Sequence, residues 1–193
     1  MANKILQQFA PILIIFALAL TALIFDYKAA TFDYNRTEIL NGKWWRVITG
    51  HFFHTNTVHF ILNSAGLILL ASLHHKFYRV STVFSLLVFS AIFISICLIF
   101  TSDLMRYVGL SGVLHAFFAW GALQDIKHKE KTGYLLFVGL WAKVIYEQLY
   151  GASAEVSAMI NATVAVDAHL WGAIGGTLFF IFGQRINFKT KAP

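Results

Sequence analysis

The sequence predicts an all-α polytopic membrane protein, a six-transmembrane-helix bundle, and three observations carry that expectation. The 193 residues are 58% hydrophobic and only 12% charged, against roughly 45–50% apolar and about 25% charged in soluble domains. The apolar residues gather into six stretches, each near the length a tilted helix needs to cross a hydrocarbon core. The basic residues fall between those stretches, as topology signals do, rather than in one patch interleaved with aromatics.

The spans are expected at about 9–25, 57–73, 81–101, 110–125, 133–150 and 163–184, in one membrane domain covering 1–193 with no separate soluble part. The first stretch has the length of a signal peptide, but no clear small-x-small cleavage site follows it, so it reads as a retained helix. If the spans alternate in direction, nine basic residues share one side: Lys4, Lys76, Arg79, Lys127, Lys129, Lys131, Arg185, Lys189 and Lys191. Lys28, Arg36, Lys43, Arg46 and Arg106 fall on the other. The positive-inside rule then puts both termini in the cytoplasm. The longest connection, 26–56, lies on the outer side and holds Tyr27, Phe32, Tyr34, Trp44, Trp45, Phe52 and Phe53; such aromatics suit the headgroup zone. The single cysteine, Cys97, sits in an apolar run and reads as a packing residue. Nucleic acid is excluded as a partner by the scatter of the +6 charge.

Polar side chains inside lipid are costly, so each is a functional candidate. Their depth is the informative feature. His59 and Asn63 are four apart on span two, one turn from each other on one face. Gly109-Leu110-Ser111-Gly112 opens span four, and His169 lies a turn or two into span six. Three helices entering from the outer side thus bring His59, Asn63, Ser111 and His169 to similar depth. That grouping permits nucleophilic catalysis, in which an imidazole takes the proton of a serine hydroxyl. Ser111 and His169 fit as nucleophile and general base. At the first turn of a helix, free N–H groups and the positive dipole end suit an oxyanion, and Gly109 and Gly112 let a substrate backbone approach. His59 and Asn63 are placed to add side-chain donors to that oxyanion.

The motifs Trp45-Arg46, His54, His59-x-x-x-Asn63, Gly109-x-Ser111-Gly112 and Ala168-His169-x-x-Gly172-x-x-x-Gly176 resemble those of the rhomboid intramembrane serine proteases, in the same order over most of the chain. The resemblance implies a Ser–His dyad without a third acid, and an oxyanion hole of His59, Asn63 and the Ser111 amide. The chain departs at Ala116, where many rhomboids keep a glycine. Gly109 to His115, Lys143-x-x-x-Glu147-Gln148 and Val166 to Gly172 look like the rhombosortase branch. That likeness implies membrane-anchored substrates with a glycine-rich C-terminal sorting tail, in the inner membrane of a bacterium, with the active site toward the periplasm and no cofactor.

Bland readings stand beside these. Lys143 and Glu147, four apart, read first as a self-neutralising pair, with orientation of a substrate or a gating loop by Glu147 as the alternative and both kept as supporting residues of the site. His115 stacks under Ser111 and reads first as packing. Asp167 is two residues from His169 and off its face, so it is not a triad acid. Gly172-x-x-x-Gly176 is close-packing spacing that draws span six onto span four. No zinc motif is present among His51, His54, His59, His74 and His75, so no metal is expected. Two other function classes remain: a non-catalytic rhomboid-like protein that binds membrane helices, and a transporter, against which the lack of an inverted repeat counts.

Overall fold

The computed structural model describes residues 2–189. Lys191, one of the residues carrying the expected orientation, lies outside them, as do the side chains of Lys4, Arg185 and Lys189. Among the described residues the chain runs α1 (Ala2–Ile24), α2 (Ala29–Phe32), β1 (Tyr34–Asn35), α3 (Arg36–Leu40), α4 (Arg46–Thr49), α5 (Thr57–His74), α6 (Val80–Thr101), β2 (Arg106–Tyr107), α7 (Ser111–Lys127), α8 (Lys131–Tyr150), α9 (Ala154–Ile160) and α10 (Val166–Lys189). The fold is an all-α polytopic membrane bundle, to which β1 and β2 add one antiparallel pair, Tyr34 opposite Tyr107 and Asn35 opposite Arg106.

Thr57–Phe77, Val80–Thr101 and Val166–Gly183 are long and apolar enough to cross a membrane, and Gln8–Ile24 is a shorter apolar helix. The central helix α7 is enclosed by α5, α6, α8 and α10, and small residues let its neighbours approach: Gly112, Ala116, Ala119, Gly121 and Ala122 are buried, beside the larger Phe117 and Trp120. Its tightest neighbour is α10. A Cβ on Gly172 would strike the Gly112 carbonyl oxygen, and one on Gly176 the Ala116 carbonyl oxygen. Backbone meets backbone there, and Ala116 is fully buried in the contact.

The connection before α5 is folded, which revises the headgroup reading of its aromatics. Tyr34 and Phe53 are buried, and Phe32 stacks on Phe53 with 5.7 Å between centroids; Trp44 and Trp45 stay exposed. An ion cluster around the buried Asp33 and Arg46 ties this segment together. Arg46 donates to Asp33 Oδ1 at 2.5 Å and to the Ala30 carbonyl at 2.9 Å, while Arg106 reaches Asp33 Oδ2 at 2.6 Å. Asp33 thus joins this segment to the strand that leads into α7. Cys97 is half-buried on α6.

At the opposite end of α5, His74 fits the notch left by Gly121, and its Nε2 lies 3.2 Å from Asp125 Oδ2. The pair joins α5 to α7, and Lys76 reaches the other Asp125 oxygen at 3.2 Å.

Candidate active site

Two local devices set the walls of the site. Asn56 caps α5 by accepting from the His59 N–H at 2.8 Å, which starts the helix so that His59 and Asn63 share its inward face. Gly109 adopts a φ of 127°, open only to glycine, and a Cβ there would press on the His59 ring. The turn therefore passes directly beside His59 and Asn63 before Ser111 begins α7. The first hydrogen bond of that helix runs from the Leu114 N–H to the Leu110 carbonyl. The preceding amides, Ser111 to Val113, have no helical carbonyl one turn back, and that of Gly112 bonds the Tyr107 hydroxyl.

The α7–α10 approach carries His169 to Ser111. His169 Nε2 and Ser111 Oγ are 2.9 Å apart. The His169 side chain is 6% exposed. His59 and Asn63 are buried on the facing helix. Among the described residues Asn63 Nδ2 has no hydrogen-bond partner, a buried donor without an acceptor. The backbone N–H of Thr55 approaches His59 Nδ1 at 3.4 Å and its Oγ lies at 3.1 Å. With Nδ1 accepting from that amide, the ring proton is on Nε2, the atom beside Gly109. A cavity of about 400 Å³ opens over Ser111, lined by His54, Thr55, His59, Tyr107 and Thr163 among others. Its cover is fastened at α9: Thr55 donates to the Ile160 carbonyl at 2.5 Å and Asn56 to that of Met159 at 3.0 Å.

Burial sets the charge of this wall. His54 is pushed down to about 3 by desolvation and by its neighbour His59, so it is neutral near pH 7. Desolvation likewise takes His51 down to about 4; its Nε2 lies 3.1 Å from the Ala91 carbonyl. Desolvation raises the Tyr107 phenol, which donates to the Gly109 carbonyl and braces the turn before Ser111.

The resemblance implies a dyad without a third acid, yet Glu147 Oε2 of α8 lies 2.9 Å from His169 Nδ1. Glu147 also meets Lys143, 2.7 Å from Oε1, so the i,i+4 pair exists but one carboxylate oxygen faces the histidine instead. His115 does more than pack beneath Ser111. Its ring stacks on His169 at 4.1 Å, and its two nitrogens meet the Ser111 carbonyl and Lys143. Asp167 turns away from His169, accepting from the Ser102 hydroxyl at 2.5 Å. Sequence reasoning passed over Tyr107 and Thr55, whose contacts depend on the β1–β2 pairing and on α9.

Among the described residues, His115, Glu147 and His169 bring three potential metal-ligand atoms within 4.8 Å of one another. The Lys143 ammonium sits 3.1 Å from His115 Nε2 and 2.7 Å from Glu147 Oε1. A cation of the protein's own thus already occupies the grouping.

No curated protein sequence matches the chain. The rhomboid domain family model matches residues 41–185, a stretch that takes in every residue of this site. The chain therefore belongs to the rhomboid family, multi-pass membrane proteins that are generally intramembrane serine proteases and include inactive members.

Proposed function

We propose that the chain is an intramembrane serine endopeptidase in which Ser111 is the nucleophile and His169 the general base. The observation that carries this reading is the 2.9 Å contact between His169 Nε2 and Ser111 Oγ, beneath a cavity and at the head of α7. His169 Nε2 takes the hydroxyl proton as Oγ attacks the scissile carbonyl. Negative charge gathers on the carbonyl oxygen, where the Ser111 amide, Asn63 Nδ2 and His59 Nε2 serve as donors. The C–N bond breaks, His169 returns its proton to the leaving amine, and an ester to Ser111 remains. Water, deprotonated by His169, then splits the ester and restores the hydroxyl. A substrate helix must unwind locally first, because a packed helix hides its carbonyls.

The substrate class follows from the rhombosortase-like motifs around Ser111, Lys143 and His169: exported proteins held in the membrane by a glycine-rich C-terminal sorting tail. The distribution of basic residues supports cytoplasmic termini and a site toward the periplasmic side of a bacterial inner membrane.

A fluorophosphonate probe distinguishes this reading from a non-catalytic, helix-binding role. Labelling is expected at Ser111 in the native protein and is expected to vanish in Ser111→Ala and His169→Ala, both still accumulating in the membrane. Equal labelling of native and Ser111→Ala protein, or none in either, would overturn the assignment.

A further inference from the structure

The geometry points to Glu147 and Lys143 as positioning residues for the His169 base: the carboxylate fixes the ring's tautomer and orientation, and the ammonium holds the carboxylate. This rests on the reading of Ser111 and His169 as nucleophile and base.

An ionised carboxylate only accepts hydrogen bonds, so the 2.9 Å contact between Glu147 Oε2 and His169 Nδ1 places the ring proton on Nδ1. Nε2 is then bare, and its neighbour at 2.9 Å is the Ser111 hydroxyl whose proton it must take. The opposite tautomer would set a lone pair against the carboxylate and leave Nε2 unable to act as base. The other carboxylate oxygen, Oε1, accepts from Lys143 Nζ at 2.7 Å. The same ammonium meets His115 Nε2 at 3.1 Å. His115 in turn donates from Nδ1 to the Ser111 carbonyl at 2.7 Å. Its ring lies flat against His169, 4.1 Å between centroids and 12° between planes. One arrangement of protons satisfies this whole chain of contacts, from ammonium to carboxylate to imidazole to hydroxyl.

A merely neutralising ion pair would need only the contact from Oε1 to Lys143. The second oxygen is spent on the base. The Glu147 side chain is 12% exposed against 48% for Lys143, so the carboxylate is sheltered where its field on an imidazolium is little screened. An orienting carboxylate holds the imidazole in register and stabilises the charge that forms on it as the serine proton moves.

The consequence reaches α8 itself. This helix packs chiefly against α7 and α10, through a small hydrophobic cluster of its own built on Ala119, Leu140, Val144 and Ala173. The base is complete only while α8 is docked.

Glu147→Gln, Glu147→Asp and Lys143→Met, with Ser111→Ala alongside, are to be assayed in vesicles on a tail-anchored reporter, separating kcat from KM. Glu147→Gln keeps the size and removes the charge; kcat is expected to fall about 100-fold or more with KM nearly unchanged. Glu147→Asp is expected to recover about tenfold of that loss, and Lys143→Met to fall between native and Glu147→Gln. A native kcat in Glu147→Gln, or a loss carried by KM, overturns the role of Glu147; a native kcat in Lys143→Met overturns that of Lys143. Should Glu147→Gln fail to accumulate, Glu147→Asp carries the test: a kcat about tenfold below native supports the role and a native kcat overturns it. Ser111→Ala separates the two levels. Full activity there defeats the serine mechanism and this inference together, whereas an inactive Ser111→Ala beside a fully active Glu147→Gln defeats only the positioning role.

Discussion

Asn63 separates function from stability more cleanly than any other residue of the site. It is buried at 6% exposure, and among the described residues its Nδ2 has no partner. An unpaired buried donor costs stability, on the order of 1–3 kcal/mol. Replacement by Ala removes that cost along with the donor. Asn63→Ala is therefore expected to melt no lower than the native protein in detergent while its kcat falls about 10²–10³-fold, the usual loss for an oxyanion donor. A melting temperature that drops with activity preserved would reverse the assignment and make Asn63 a packing residue. Ser111, His59, Asn63 and His169 were readable from sequence, because motif and depth put them on three helices at one level. Glu147 stood at that level too, one turn before the end of α8 at Tyr150. Its i,i+4 partner Lys143 concealed it, since a local pair accounts for both charges without invoking a third helix. Which face of α8 meets α10 is a property of packing, not of spacing.

Helix contact supplies the next level of constraint, and the glycines of α10 show how finely it is set. A side chain on Gly172 would drive into the Gly112 backbone, one residue after Ser111. Backbone cannot swing aside as a flexible side chain can, so the two helices must part. A Cβ added at Gly139 on α8 would meet no other described residue within 4 Å outside its own helix backbone, which makes it an internal control. Gly172→Ala is expected to lose about 1–3 kcal/mol by overpacking and to lose activity, because parting the helices lengthens the reach from His169 to Ser111. Gly139→Ala is expected to match or slightly exceed native stability, alanine being the better helix former. Thermal melting of the purified pair checks this, and equal melting temperatures would contradict the account of the α7–α10 contact. The small-x-x-x-small spacing announced a close contact in the sequence. It did not announce that α7 is enclosed on several sides. Nor did it show that Tyr34 and Phe53 serve the core, since the Asp33–Arg46–Arg106 cluster that folds their loop draws on residues over seventy positions apart.

At the scale of the molecule, the arrangement makes sense only in lipid. Phe100, Leu135, Leu69 and Ile68 are 79%, 75%, 60% and 59% exposed on the flanks of the bundle, a surface that water would not tolerate in a monomer. The polar side chains instead turn inward, with the catalytic candidates gathered at one end and the His74–Asp125–Lys76 cluster at the other. A cavity opens over Ser111 at the first of these ends, and in the proposed mechanism it is the route by which water reaches the ester. Cleavage by the purified chain is the most direct test of this account. Native protein and Ser111→Ala, reconstituted in vesicles with a reporter anchored by a glycine-rich tail, are to be compared for release of the reporter's soluble part. The account predicts release by the native protein and none by Ser111→Ala; equal release by both would contradict it.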